Sequence, residues 1–243
     1  DLAHVATRAE KSSAGAYLLN GHKSVVFHGA SADSIIVSAR TSGDTGDKNG
    51  IGLFLLDRAA PGLTLRPYPT VDGLRAAEVM LEDAQAEPMG EEGGAHGAIE
   101  AVIDHATIAV CAEAVGIMRT LIEMTRAYVD SRKQFGRAIG KFQVVQHALV
   151  DMYMAHELSK SLTYRAAAAL GTVATATATA AATSAAKVQI GKAGKLIGEQ
   201  AVQLHGGMGM TDEFAVGHYF KRLAMIETLF GNTDHHRRRF AEL

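Results

Sequence analysis

The sequence is poor in features that mark several broad protein classes. Its 243 residues include one cysteine, Cys111, which excludes a disulfide framework within the chain and favours a reducing compartment. Its formal net charge is −2, which argues against a nucleic-acid binder that relies on bulk positive charge. We therefore expect a globular cytoplasmic protein with no nucleic-acid partner, in which Cys111 is a small buried residue of an apolar helix.

Long uninterrupted apolar runs are also missing. Glu113, Gly171 or threonines break the longest ones before they reach the roughly 20 residues that cross a bilayer. No signal peptide precedes Asp1, and no initiator methionine opens the chain. We expect no membrane partner, and we expect the natural N-terminus to be missing or processed away.

The first part of the chain, up to residue 93, has the pattern of short strands. Asn20-Gly21 predicts a type I′ hairpin turn between strands at 16–19 and 23–27, because both central residues of that turn need positive φ. Further strands are predicted at 34–39, 51–56, 63–67 and 77–81. Several short strands separated by turns predict a compact antiparallel β domain over residues 1–93.

The second part of the chain has helical periodicity. After a glycine-rich join near residues 90–97, apolar residues at helical spacing predict a helix that ends near Asp130. A second helix is predicted from about Gln143, and a third from the Ala/Thr-rich segment at 174–179 to about Leu204. Long helices joined by short connections predict an antiparallel bundle over residues 94–243.

Three segments of the helical part carry chemistry. Residues 132–143 place basic side chains beside a glycine turn, which suits phosphate binding, although a solvated basic loop has the same pattern. Residues 203–211 carry three glycines in four positions, whereas a helix C-cap needs only one. Residues 229–236 form a turn in which Asn232 or Thr233 is the N-cap of a basic helix.

Taken together, RKQFG…IGKFQ, QLHGGMG and the turn threonine resemble the acyl-CoA dehydrogenase family, and NGHK resembles its flavin-facing strand. The resemblance implies an α+β multidomain fold, with an antiparallel middle β domain followed by a C-terminal four-helix bundle. The family's N-terminal helical domain is absent from this chain. The implied activity is FAD-dependent α,β-desaturation of an acyl-CoA thioester, with an electron-transferring flavoprotein as the electron acceptor.

The resemblance also implies that FAD is held between subunits, in at least a dimer and usually in a tetramer built as a dimer of dimers. The arginine of the first segment would reach the FAD pyrophosphate of a neighbouring subunit, and the other segments would add further contacts. The cofactor-binding residues implied in this way are Arg132, Phe135, Ile139, Phe142, Gln143, Gln203, Gly206, Gly207, Phe230, Thr233 and His235.

Departures from the family pattern leave the catalytic residues unknown. The flavin-facing strand has Val25 and Phe27 where the family has Trp and Thr or Ser. The two usual positions of the glutamate base hold Gly231 and Ala106, which cannot accept a proton. Asp104 is a weak candidate, since its side chain points in another direction around the helix.

Three hypotheses follow from these departures. The first is a subunit without its own base that works in a heteromer, because the tail is most like the small-subunit, pimeloyl-CoA-dehydrogenase type. The second is an active homotetramer with a relocated base such as Asp104, and the third is a non-catalytic scaffold or regulatory homologue. The acyl chain type is left open, and no metal site is expected because adjacent histidines on a helix diverge.

Overall fold

The computed structural model describes residues 1–12, 15–171 and 175–243, which form two compact units, Asp1–Val102 and Ile103–Leu243. The domain boundary after residue 93 stays a prediction. The predicted antiparallel β domain followed by a helical bundle is confirmed. Ala174, which belongs to the predicted start of the third helix, lies outside the described residues.

The first unit is built on a six-stranded sheet of order β2-β1-β3-β4-β6-β5, in which β2 also pairs with β6. Neighbouring strands are antiparallel apart from the single parallel pairing of β1 with β3. Alternate side chains such as Leu19, Val37 and Phe54 form its core. The strands are β1 (Arg8–Lys11), β2 (Tyr17–Phe27), β3 (Ser34–Arg40), β4 (Ile51–Asp57), β5 (Leu63–Pro69) and β6 (Arg75–Met89).

The hairpin predicted at Asn20-Gly21 is wrong, because β2 runs through it without a turn. The register of β2 against β6 shifts there instead, as in a β-bulge. Asn20 Oδ1 accepts a hydrogen bond from the Asp83 backbone N–H at 2.9 Å, and its Nδ2 donates to Asp83 Oδ1 at 2.8 Å. A Cβ on Gly21 would lie 2.8 Å from Thr7 Cα. Non-local pairing therefore decides the conformation of this dipeptide.

The second unit contains the helical bundle. The bundle's elements are α1 (His96–Ser131), whose first residues belong to the first unit, a small hairpin of β7 (Lys133–Gln134) and β8 (Arg137–Ala138), α2 (Gln143–Gly171), α3 (Ala176–His205), α4 (Ala215–Thr228) and α5 (Thr233–Ala241). The predicted limits of the first three helices are confirmed to within a few residues. Cys111 is buried, as expected. The Thr175 hydroxyl caps α3 by accepting from the Ala178 N–H at 3.2 Å, which explains why the Ala/Thr repeat begins a helix.

Helix α1 is, within the described part of the chain, the one helix long and apolar enough to cross a membrane, judged by length and composition only. Its residues Cys111, Met118 and Leu121 belong to the bundle core. Its carboxylate Glu113 pairs with Arg222 of α4. The core helix of a bundle has the same composition, so this finding is weak support for a membrane span.

Candidate functional site

The loop after α1 presents basic and aromatic side chains at one end of the bundle. Arg132 follows the last residue of α1, and its backbone N–H still donates to the Tyr128 carbonyl at 2.8 Å. Its side chain is exposed, and no acceptor among the described residues pairs with its guanidinium. The Phe135 ring is 91% exposed and stands edge-on to Phe142, with ring centroids 6.2 Å apart. Arg137 covers the Phe142 ring at 4.2 Å.

The remaining predicted residues of this loop lie in and after a short 3₁₀ turn. Ile139 is half-buried, and its N–H donates to the Arg132 carbonyl at 2.8 Å, so the loop folds back onto its own start. Gln143 begins α2 and is exposed. The structure therefore brings Arg132, Phe135, Ile139, Phe142 and Gln143 into one local loop.

The glycines at the end of α3 have three separate roles. Gly206, with φ of +60°, is the C-cap and donates its N–H to the Gln203 and Val202 carbonyls, so the simple capping interpretation is confirmed for this residue. Gly209 is buried, and a Cβ there would lie 3.0 Å from the Val202 oxygen. Gly207 faces open space. Of the three, Gly207 is exposed and has neither the capping role of Gly206 nor the close packing of Gly209, although all three belong to a 3₁₀ helix, Gly206–Met210.

Tyr128 joins the loop after α1 to the end of α3. Its hydroxyl donates to the His205 carbonyl at 3.4 Å, and its ring stacks on the His205 ring with centroids 4.4 Å apart. His205 Nδ1–H donates to the Ala201 carbonyl at 2.7 Å, and burial lowers the pKa of this histidine. We call the combined surface of residues 132–143 and 203–207 the open end.

The third predicted segment lies elsewhere on the bundle. Residues 229–233 connect α4 to α5, and Thr233 packs beside Gly191 in the middle of α3. Fifteen residues separate Gly191 from Gly206, or about 22 Å along a helix. The structure therefore groups two of the predicted segments and separates the third, which we call the supported turn.

Buried polar side chains hold the supported turn. Lys187 of α3 is fully buried, and its ammonium donates to the Glu227 carbonyl at 3.0 Å and to the Gly231 carbonyl at 2.6 Å. Glu227 Oε1 accepts from the Thr233 N–H at 2.9 Å. Asn232 is the N-cap of α5, since its side chain accepts from the His235 N–H at 2.9 Å.

His236 supports the same turn from α5. Its Nε2 lies 3.1 Å from the Phe230 carbonyl and its Nδ1 lies 3.2 Å from the Ser184 hydroxyl. A carbonyl can only accept, so Nε2 carries the proton and Nδ1 accepts from Ser184. Burial, which is the largest cause, lowers the pKa of His236 to about 4 and keeps the ring neutral.

Ser184, Lys187 and His236 are absent from the residues predicted from sequence. A signal for Lys187 was present, because it lies three residues before Ile190 on the buried stripe of α3. A cation at helical spacing within an apolar stripe has to find acceptors inside the fold. No comparable signal identified His236, whose partners come from α3 and from the turn.

Neither of the two usual base positions carries a carboxylate. Gly231 has φ of +103°, and a Cβ there would lie 2.4 Å from the His235 ring, so that ring fills the space of a side chain at residue 231. Ala106 offers only a methyl group. Asp104 is buried and its two oxygens accept from the Arg239 guanidinium, with one contact at 2.9 Å. This ion pair engages the carboxylate that was the weak candidate base.

The β2 strand was predicted to face the flavin. Val25 is 47% exposed and has φ of +55°, an uncommon and strained value for a β-branched residue. Phe27 pairs with Ala76 of β6. Neither side chain can form a hydrogen bond. Burial lowers the pKa of the neighbouring Lys23 to about 8, and its ammonium donates to the Ser38 hydroxyl at 3.3 Å.

The open end fits a phosphate-bearing aromatic cofactor. An exposed guanidinium and the exposed amide of Gln203 supply donors to an anion, Gly207 leaves open space beside them for a ligand, and the exposed Phe135 ring can pack on an aromatic group. No three His, Cys, Asp or Glu side chains of residues 1–12, 15–171 and 175–243 form a group that could hold a metal.

Comparisons with known proteins cover both units. Residues 1–84 match the acyl-CoA dehydrogenase middle domain, and residues 92–243 match the acyl-CoA dehydrogenase C-terminal domain. The probable acyl-CoA dehydrogenase FadE25 of Mycobacterium tuberculosis is 32% identical over 247 residues, which cover 96% of this chain and 60% of that protein. The chain thus spans less than two thirds of the length of the curated relatives it matches.

Two solved structures extend this similarity to the fold. One is described as an electron transferring flavoprotein of Acidaminococcus fermentans, with a TM-score of 0.92 and 27% identity over 99% of this chain and 63% of the other. Another is described as a Tcur3481-Tcur3483 steroid ACAD variant, with a TM-score of 0.85 and 28% identity over 99% of this chain and 62% of the other.

Proposed function

The chain belongs to the acyl-CoA dehydrogenase family, and from this we propose that it is an FAD-binding subunit of an enzyme that desaturates an acyl-CoA thioester. The observation that carries the proposal is the open end. The side chains of Arg132 and Gln203 are exposed there without partners among the described residues, and Gly207 is exposed on the same surface. Such donors suit the phosphates of an FAD that another subunit also contacts.

Within this proposal, bound FAD supplies the hydride acceptor, and the residues of the chain bind and orient it. Arg132 would neutralise the pyrophosphate, and Phe135 and Phe142 would pack near the adenosine half. At the supported turn, Phe230 and Thr233 would contact a second part of the site. The acyl-CoA substrate and an electron-transferring flavoprotein as acceptor are further parts of the proposal, by family analogy.

The chain is further proposed to depend on a partner subunit for the proton-abstracting carboxylate. None of the three candidate positions provides a free base. The His235 ring fills the space beside Gly231, and the Ala106 side chain cannot accept a proton. The Asp104 carboxylate is paired with Arg239. A heteromer of the small-subunit, pimeloyl-CoA-dehydrogenase type would supply the base from its other chain. The paired name of the steroid ACAD structure agrees with such an arrangement.

Anaerobic flavin reduction tests both parts of the proposal. The pure chain should be yellow but should not lose its flavin absorbance rapidly when acyl-CoA is added. Co-expression with a family member that retains the glutamate should yield a stable complex whose flavin is reduced. Rapid reduction by the pure homo-oligomer would contradict the heteromer, and a colourless complex would contradict FAD binding.

Two alternatives make different predictions. An active homotetramer that uses Asp104 requires the Asp104→Asn variant to lose flavin reduction while it keeps FAD. We expect Asp104→Asn to keep flavin reduction wherever it keeps FAD, because the ion pair with Arg239 already engages this carboxylate. A non-catalytic scaffold, favoured by the apolar Val25 and Phe27, predicts a colourless protein.

A further inference from the structure

The backbone of the supported turn adopts conformations that side chains elsewhere must maintain. Phe230 has φ of +56° and Gly231 has φ of +103°, so two consecutive residues occupy the left-handed half of conformational space. Phe230 is a bulky residue, for which this region is unfavourable. Its ring is 36% exposed. The strained turn therefore presents an aromatic ring at the surface.

Three side chains bind backbone groups of the turn. Lys187 holds the Gly231 carbonyl, His236 holds the Phe230 carbonyl and Glu227 holds the Thr233 N–H. Lys187 also binds the Glu227 carbonyl, which belongs to the last turn of α4. Of the three side chains, Lys187 is thus the one whose ammonium nitrogen binds both the end of α4 and the turn, and it connects them to α3.

An ordinary helix end does not require a buried ammonium. Carbonyls at a helix C-terminus can be satisfied by water or by a capping glycine, whereas burial of a cation is unfavourable unless it is paired. Lys187 is fully buried, and burial is the largest cause that lowers its pKa. The fold therefore buries the Lys187 ammonium, at an energetic cost, against the inner side of the turn that carries Phe230 and Thr233.

We propose that Lys187 is a positioning residue that fixes the supported turn in the conformation in which Phe230 and Thr233 contact FAD. This inference rests on the proposed function and adds a residue that does not itself touch the cofactor. The ammonium acts through the Gly231 and Glu227 carbonyls, and it sets the φ values that orient the Phe230 ring. The packing of the bundle core does not depend on Lys187, because other residues of α3 make the apolar contacts of that core.

Two variants and one control separate positioning from plain stability. Lys187→Met removes both hydrogen bonds and keeps the length of the side chain, and Lys187→Arg keeps a cation with different geometry. Met152→Ala is the control, because this fully buried residue supports the same core from α2, a helix that does not form the turn. Each is prepared in the assembled protein with its bound FAD.

The first measurement is hydrogen exchange of a peptide that contains residues 229–236. We expect exchange of these amides to rise at least tenfold in Lys187→Met while peptides of α2 are unchanged, and Met152→Ala to show the opposite distribution. Equal exchange of the turn in Lys187→Met and in the unsubstituted protein would overturn the inference. If Lys187→Met does not fold, Lys187→Arg gives the same comparison with a smaller local increase.

The second measurement is the rate of FAD release and the flavin absorption spectrum. We expect at least tenfold faster release in Lys187→Met and a partial recovery in Lys187→Arg, with Met152→Ala close to the unsubstituted protein. Local exchange without any change in FAD release would show that Lys187 supports only the turn, and would overturn its cofactor role. An unsubstituted protein that holds no FAD would instead refute the proposed function, whatever the exchange data show.

Discussion

The open end and the supported turn belong to one bundle but are built in different ways. At the open end, Arg132 and Gln203 are exposed and pair with no described residue, and Phe135 is almost fully exposed. At the supported turn, Lys187 and His236 are buried and hold the backbone from behind. The open end therefore exposes hydrogen-bond donors and an aromatic ring that have few contacts within the chain. The supported turn is instead held by hydrogen bonds from buried side chains of the same chain.

This difference agrees with a cofactor that is shared between subunits. Exposed donors have their full value only when a ligand from another chain desolvates them, because water satisfies them until then. A turn whose backbone orients the side chains that contact a ligand has to be in place before the ligand binds, which favours internal support. Each of the following substitutions alters one of the two surfaces and should leave the other unchanged.

The largest expected effect is a loss of stability at low pH through His236. The folded protein keeps this ring neutral, and its pKa falls from 6.5 to about 4. As the pH falls below 6.5, the unfolded chain takes up the proton first, so the free energy of unfolding decreases until about pH 4 and then levels. The decrease should be about 3 kcal/mol.

Urea unfolding between about pH 7 and pH 4 measures this effect. His236→Gln should remove most of the pH dependence, and the exposed His147 of α2 gives a matched control in His147→Gln, which should retain it. His205 and His235, whose pKa values are also lowered, chiefly by burial, will leave a smaller residual slope. A slope unchanged by His236→Gln would mean that this ring is not held neutral in the folded protein.

The next effect concerns the packing of α3 against the turn. A Cβ on Gly191 would lie 2.1 Å from Glu227 Oε2 and 2.2 Å from Thr233 Oγ1, so Gly191→Ala should displace the Glu227 carboxylate from the Thr233 N–H. Gly116→Ala on α1 meets nothing within 4 Å and should stabilise its helix. We expect Gly191→Ala to unfold about 2 kcal/mol more easily than Gly116→Ala. Equal thermal stabilities of Gly191→Ala and Gly116→Ala would show that the Glu227 carboxylate can move away from the Thr233 N–H without destabilising the fold.

A third prediction concerns the missing carboxylate. Gly231→Glu should destabilise the chain by about 1–2 kcal/mol and should not by itself restore flavin reduction, because the His235 ring occupies the space and φ is positive. Gly73→Glu, at φ of +83° in open space, measures the backbone part alone. The double variant Gly231→Glu/His235→Ala should recover the part of the loss that comes from the His235 ring and keep the backbone part. Reduction of flavin by the single variant would refute the view that His235 closes this position.

Much of the architecture was predictable, and the exceptions are non-local. The strands at 34–40 and 51–57 and the limits of α1 to α3 follow from periodicity and caps, which are local properties. The Asn20-Gly21 hairpin failed because pairing with β6, whose Asp83 lies 63 residues from Asn20, outweighs the turn preference of two residues. Propensity is a weak prior whenever such pairing is available.

The candidate site shows the same division. Each of the two segments of the open end is contiguous in the chain and was therefore predictable, whereas the contact of Tyr128 with His205 that joins them was not. The support behind the turn was not predictable either, since Ser184, Lys187 and His236 meet only after α3, α4 and α5 have packed. The closure of Gly231 by His235 likewise depends on a positive φ that the sequence does not specify.

The smallest expected effect on stability is at the open end, and it is the sharpest test of the comparison. Arg132→Ala removes an exposed side chain without a described partner, so the free energy of unfolding should change by less than about 0.5 kcal/mol. FAD retention in the assembled protein should nevertheless fall at least tenfold, because a charge-assisted contact to a phosphate contributes about 1.5–3 kcal/mol. Arg126→Ala, which removes an exposed arginine of α1, is the matched control and should change neither quantity.

Retention of FAD by Arg132→Ala at the level of Arg126→Ala would remove the cofactor role of the open end. The proposal of an FAD site would then depend on the supported turn alone, because the hydrogen bonds that hold this turn do not involve Arg132.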